Sequence, residues 1–282
     1  GAGEIYLLVF QGLRDCPGKD GKIRAGVRNV IYVTGDCHGD FRRFSSDNFP
    51  EQREMTREDY VIVCGDFGLW QDTKDERYWL DWLSRKPFTL LFVDGNHENF
   101  DRLYSNEFEV CDFCGGKVHK IRENVFHLMR GYVYELCGKK FFAFGGARSH
   151  DIDDGILDER EFDSHERFMK EVRRWRRERR MFRINHVSWW SRELPSEEEM
   201  AFGLKNLEEN DSRVDFIISH CCPQQVASVF SQGFYRGDIL TEYFNAVAEK
   251  TEFGRWFFGH YHDNRVIMSR YIMLYEQMIR CV

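Results

Sequence analysis

Five apolar runs in this chain end on side chains that can bind a metal ion, and four of the five do so across a glycine. "VIYVTGDCHG" stops at Asp36 and His38, "YVIVCGDFG" at Asp66, and "LLFVDGNHEN" at Asn96 and His97. "VDFIISH" stops at His220, and "RWFFGHYH" at His260 and His262. Short runs rich in Val, Ile and Phe read as buried strands. A glycine lets the backbone turn sharply where such a strand ends. In open α/β sheets the carboxyl ends of the strands form the ligand crevice. The pattern therefore requires residues scattered from 36 to 262 to meet along one sheet edge.

The remaining organisation agrees with an α/β chain. Strands are expected at 30–34, 60–64, 88–93, 117–121, 125–129, 131–136, 140–144, 214–219, 255–258, 265–268 and 271–275, with helices at 40–46, 74–85, 158–182, 196–209 and 238–250. Intervening helices make the first three strands parallel. The close spacing between 117 and 144 predicts an antiparallel meander. Residues 1–28 read as an N-terminal extension in which "EIYLLVF" could form a strand. Residues 29–282 read as one mixed-sheet α/β domain with an inserted helical segment at about 150–210.

Of the 282 residues, 42% are hydrophobic, enough for a full core, which excludes a disordered chain. No run of about 18 apolar residues occurs, and no basic-then-apolar leader is seen, so a soluble, cytoplasmic protein without a membrane partner is expected. Nine cysteines without framework spacing fit a reducing compartment. A net charge of −7 argues against a surface that grips nucleic acid everywhere.

Two carboxylates, an amide oxygen and several imidazoles suit a pair of divalent transition ions better than calcium or magnesium alone. Such a pair can clamp a phosphoryl group and activate a water. The blocks "GDCHG", "GDFG", "GNHE", "SH" and "GHYH", in that order, resemble those of the calcineurin-like metallophosphoesterase superfamily. The resemblance implies a four-layer αββα sandwich of two mixed β-sheets flanked by helices. It also implies two metal ions (manganese, iron or zinc): Asp36, His38 and His262 would hold the first, Asn96, His220 and His260 the second, and Asp66 would bridge them. A metal-bridging hydroxide would attack phosphorus in line, with His97 as the catalytic imidazole and Asn96 and His97 near the substrate phosphate.

The chain departs from the Ser/Thr protein phosphatase branch, which carries an Asp-Arg pair after the second block. Leu69 and Trp70 stand there instead. Asp94 could orient His97 in its place, or simply close the "VDGNH" turn. "FGGARSHD" followed by "VSWW" is similar to a bacterial and phage-type branch, and Arg148 is a candidate phosphate contact. These departures favour a phosphodiesterase or broad-specificity phosphatase. A nuclease is the alternative, and a silent binding scaffold fits less well because no ligand is missing.

Other features leave two readings each. The arginines of 167–183 form either a solvated helix face or a rail for a polyanion, so nucleic acid is a possible but not a favoured partner. Trp189 and Trp190 are packing or a stacking platform. Cys111, Cys114 and His119 begin a zinc-knuckle spacing, but its fourth position is Asn124. Cys37, Cys64, Cys221 and Cys222 are buried fillers or oxidation-sensitive thiols. His119, His127, His165 and His186 read as structural or surface residues. Asp40 reads as a helix cap. Oligomeric state has no signature.

Overall fold

A computed structural model of the chain describes residues 29–282. The 1–28 extension, including the strand expected in "EIYLLVF", lies outside them. In chain order the first strands are β1 (Ile31–Thr34), β2 (Tyr60–Val63), β3 (Thr89–Phe92), β4 (Glu109–Phe113), β5 (Gly116–Arg122) and β6 (Val125–Leu128). Next come β7 (Tyr132–Leu136), β8 (Lys139–Phe144), β9 (Gly155–Leu157), β10 (Phe182–Ile184) and β11 (Arg213–Ser219). The last are β12 (Glu252–Phe258), β13 (Arg265–Ile267), β14 (Tyr271–Met273) and β15 (Met278–Arg280). The α-helices are α1 (Lys74–Ser84), α2 (Phe100–Leu103), α3 (His165–Arg177), α4 (Glu197–Glu209), α5 (Gln224–Ser231) and α6 (Ile239–Lys250).

Two mixed sheets form, in the orders β15-β1-β2-β3-β6-β5-β4 and β13-β14-β12-β11-β8-β7. Side-chain alternation stacks them. Ile62 and Cys64, with Leu91 and Val93, face Phe141, Ala143, Ile218 and Phe257 of the other sheet. The intervening Val61, Val63, Leu90 and Phe92 face outward onto Leu80 and Leu83 of α1. On the far side, Phe142, Phe144, Ile217 and Trp256 pack against Leu207 of α4, Val226 of α5, and Leu240 and Phe244 of α6. The result is helix, sheet, sheet, helix, the expected calcineurin-like sandwich. No helix among the described residues is long and apolar enough to cross a membrane.

Several boundaries differ from expectation. The 117–144 meander is split: β6 pairs with β3 and β5, whereas β7 pairs with β8 in the second sheet. Met129, Arg130 and Gly131 carry the chain across, and Gly131 does so at φ 82°. Instead of a helix at 40–46 there is a 3-10 turn, Arg42–Phe44, because Ser45 already returns to extended backbone. Its N-cap is Phe41, not Asp40 as expected; Asp40, one residue earlier, accepts from the Arg42 N–H at 3.1 Å. The 158–182 helix begins only at His165, where the Ser164 hydroxyl accepts from the Arg167 N–H. It ends at Arg177, and the chain turns at Arg179 (φ 55°) into β10, which pairs in parallel with β9. The segment read as helical thus also holds a two-stranded sheet.

Candidate metal centre

The parallel strands β1, β2 and β3 of one sheet, and β11 and β12 of the other, all deliver their carboxyl ends to one edge. The turns after β1 and β2 hold each other. The N–H groups of Cys37 and His38 donate to Asp66 O at 3.1 and 2.7 Å, and that of Gly39 donates to Phe67 O at 3.0 Å. His38, Asp66, His260 and His262 all sit at positive φ, between 45° and 70°. Left-handed non-glycine residues cost about 1–3 kcal/mol each and gather where function over-determines the backbone. Two motif glycines serve close approach. A Cβ on Gly65 (φ 92°) would fall 2.3 Å from His220 Nδ1, and one on Gly95 would fall 2.0 Å from Asp66 Oδ1.

Two groups of ligand atoms result: Asp36, His38 and His262, and Asp36, Asp66 and His220. His38 Nε2 and His262 Nε2 stand 3.1 Å apart. They lie 3.6 and 3.1 Å from Asp36 Oδ2. Asp66 Oδ2 lies 3.4 Å from His220 Nε2 and 3.8 Å from His38 Nε2, so its carboxylate reaches both groups. Asn96 Oδ1 is 3.2 Å from His220 Nε2. The Asn96 amide donates to Ser149 Oγ at 3.3 Å, which turns its oxygen toward the centre. Ser149 in turn donates to the buried Glu193 at 2.6 Å. His220 Nδ1 donates to Cys64 O at 2.7 Å and leaves Nε2 facing the carboxylates. His260 joins differently: its ring packs 4.9 Å from that of His220, while its N–H donates to Asp36 Oδ1 at 2.9 Å.

His97 borders this edge. Its N–H donates to Asp66 Oδ1 at 2.8 Å, and its Nε2 lies 4.0 Å from Asp66 Oδ2. Its ring is held by Arg183, whose Nη1 donates to Nδ1 at 3.1 Å. Asp151 fixes that guanidinium with two bonds of 2.8 Å, and Ser188 O accepts from Nη1 at 3.0 Å. An Asp-Arg pair therefore stands beside His97, although Leu69 and Trp70 occupy the positions expected for one. Sequence reading missed it because Asp151 and Arg183 are 32 residues apart and Arg183 is 86 from His97.

Asp94 does not orient His97. Its carboxylate is fully buried, accepts from His127 Nε2 at 3.0 Å, and receives two bonds from the buried Arg130, at 3.0 and 2.5 Å. His127 continues to His119, Nδ1 to Nδ1 at 2.9 Å, so these two histidines belong to a buried network and the zinc-knuckle reading loses its imidazole. Glu98 was also missed, although it completes the "GNHE" block. Its carboxylate accepts from the N–H groups of Phe67 and Leu69 at 2.6 and 3.1 Å and braces the turn carrying Asp66. Arg43 braces the other turn, donating to Asp36 O at 2.5 Å and Tyr275 O at 2.6 Å. Arg148 is exposed in the loop leading to His150, whose ring lies 4.5 Å from that of His260.

A family model described as calcineurin-like phosphoesterase matches residues 30–264. The chain belongs to that family. A comparison with curated proteins gives no match. As a calcineurin-like phosphoesterase the chain is a metal-dependent hydrolase of phosphoester bonds.

The residues present fit the divalent ions this phosphoesterase family uses. Asp36 Oδ2 is buried with no hydrogen-bond partner among the described residues, and it faces two imidazole nitrogens. Burial alone would raise the Asp36 and Asp66 carboxyls, but the His220 imidazole above all holds both well below the usual carboxylate range. Burial would lower His220, yet the same two carboxylates push it up to about 10. That shift favours a protonated imidazole near neutral pH, a proton that an ion held at Nε2 would displace. Metal loading should release about one proton from His220 and weaken as pH falls. Calorimetry of manganese binding in buffers of different ionisation enthalpy checks this; a heat independent of buffer contradicts it. The thiols near the phosphoesterase site are quiet. Burial pushes Cys37 and Cys222 up to about 12 and Cys64 and Cys221 well above their ordinary value, which matches buried fillers.

Proposed function

We propose that the chain is a dinuclear phosphoesterase acting on phosphodiesters, or on a broad range of esters, with Asp36, His38 and His262 holding one ion. Asn96, His220 and His260 hold the second, and Asp66 reaches both. The observation that carries this reading is the convergence of Asp36, Asp66, His38, His220 and His262 at one sheet edge. When bound, the two ions (manganese, iron or zinc) neutralise the phosphate and supply an activated water for in-line attack. The chain's own part is to hold the phosphate beside His97 and Arg148. His97 presents an imidazole to the oxygen on which charge develops. Burial, helped by Arg183, lowers its pKa. Arg183 lies against both ring nitrogens, Nη1 3.1 Å from Nδ1 and Nη2 3.4 Å from Nε2, and so fixes the plane of the ring.

Arg183 is a positioning residue in this reading, and Asp151 positions Arg183. Arg183→Ala should lower kcat about tenfold to a hundredfold with little change in KM. Added guanidinium should restore part of the loss, and the variant should cost nothing further in a His97→Ala background. Equal losses in both backgrounds, or no rescue, would contradict the role.

Three arginines of the 167–183 stretch support the solvated-face reading over a nucleic-acid rail, whereas Arg183 turns to the site. Arg167 pairs with Asp163, Arg174 with Glu171, and Arg180 with Glu178. Trp190 is packed, donating to Asp101 Oδ2 at 2.7 Å, while His186 bonds the same oxygen. Residues 29–282 act as one catalytic unit, with about 150–210 as a cap that supplies Asp151 and Arg183, and Arg148 in the loop just before it. A cytoplasmic setting is part of this reading, supported by nine cysteines without framework spacing. A panel of mono- and diesters, cyclic nucleotides and single-stranded DNA, each with manganese, iron, zinc or magnesium, tests the substrate class. Faster turnover of monoesters than of every diester would contradict the phosphodiesterase assignment.

A further inference from the structure

Beside the His260 and His262 end of the site lies a cavity of about 340 Å³ whose lining includes Phe230, Phe234, Tyr235, Tyr261, Asp263 and Arg265. Ring contacts link its wall to the metal centre, the Tyr261 ring lying 5.0 Å from that of His260. Tyr261 is the residue between the two histidines, and a chain of rings runs outward from His260 to His150 at 4.5 Å and from His150 to Tyr235 at 5.0 Å. The aromatic walls are built, not incidental. Tyr261 packs edge-on to Phe230 at 4.8 Å and meets Tyr235 at 4.9 Å. Phe234 packs edge-on to Tyr235 at 5.5 Å.

Two observations point to a planar ligand. Phe234 is 81% exposed, more than any other large hydrophobic side chain described, and it directly follows the left-handed pair Gln232 (φ 53°) and Gly233 (φ 83°). A phenyl ring held in water at the rim of a catalytic site gains most when a flat group stacks on it. The volume is at the small end of ligand pockets, suited to one ring system and not to a polymer. At the rim Asp263 and Arg265, 3.6 Å apart and half-exposed, offer an acceptor and a set of donors side by side. That is the complement of a nucleobase edge, and an alkyl or lipid group would leave it unused.

We propose that this cavity is the leaving-group subsite and takes the nucleobase of a nucleoside phosphate ester. The inference rests on the phosphoesterase reading and narrows its substrate class. Base–aromatic stacking is sequence-tolerant, so several bases are accepted.

Calorimetric titration of manganese-equilibrated protein with AMP, ribose 5-phosphate and inorganic phosphate tests it. AMP should bind about tenfold or more tightly than ribose 5-phosphate. That ratio should fall toward one in Phe234→Ala, whose exposed side chain supports no core, and in Tyr235→Leu. A ratio near one in the unaltered protein, or a ratio untouched in both variants, overturns the subsite while phosphate binding leaves the phosphoesterase reading standing. Failure to bind phosphate or manganese at all overturns both.

Discussion

His97→Ala should lower turnover roughly 10²- to 10⁴-fold while the protein keeps its bound metal, whereas Asp66→Asn should lose both. The separation follows from position. The His97 ring borders the ligand groups, reaching Asp66 only at 4.0 Å, and its own partner is Arg183. Asp66 stands among the ligand atoms within 3.4 Å of His220 and 3.8 Å of His38. Replacing its charge by an amide removes half of the buried anionic charge contributed by Asp36 and Asp66. Metal affinity should fall at least about a hundredfold, beyond what loss of an outer-shell partner costs. Metal content by elemental analysis, measured beside kcat, decides the matter. Equal metal loss in the two variants would contradict the division of roles.

Asp94→Asn should destabilise the fold by about 3 kcal/mol, because it leaves the buried Arg130 guanidinium with only the partly exposed Glu199, 3.3 Å away, as counter-charge. Asp94 is fully buried and Arg130 is only 4% exposed, unlike the Arg42–Asp40 pair, which is exposed and screened by water. Burial would raise the Asp94 carboxyl, but Arg130 and His127 hold it well below the usual carboxylate range. Its contribution is therefore complete above the unfolded carboxylate value and is lost as pH falls through the folded one. His119, pushed down to about 3 by burial, acts in the same direction, since unfolding lets it take a proton below its ordinary value. Urea midpoints of wild type and variant at pH 7 and pH 3 check both points. The gap should narrow in acid; a gap that widens, or a change below 1 kcal/mol at pH 7, would contradict the buried-pair account.

The convergence of the proposed ligands was legible because each sits at a strand end, where an apolar run stops at a polar side chain, in most cases across a glycine. The sheets were legible wherever such runs were long. β4 escaped because "EVCDF" is a largely exposed edge strand whose acids, Glu109 and Asp112, fall on alternate faces and leave no apolar period. β9, β10 and β15 are three residues each and too short for a period. Sequence spacing showed strands on either side of Arg130 but could not show that they enter different sheets. The helix expected over 158–182 was overlong because arginine-rich periodicity continues past Arg177, where only the turn at Arg179 ends it.

What surrounds the ligands was less legible, since its partners are distant in the chain. Asp94 finds Arg130, Asn96 finds Ser149 and then Glu193, and His97 finds Arg183 with Asp151. Nothing local in "VDGNHEN" marks which of these pairs forms. Glu98 alone had a local signal, as the acid that ends its motif.

The central claim is tested most directly by stripping the protein with a chelator, reloading it with manganese, iron or zinc, and following hydrolysis of bis(p-nitrophenyl) phosphate against metal bound per chain. Activity should vanish on stripping and return as bound metal rises toward two ions per chain. Hydrolysis that is absent with every metal, or that persists undiminished in the stripped protein, would contradict the assignment.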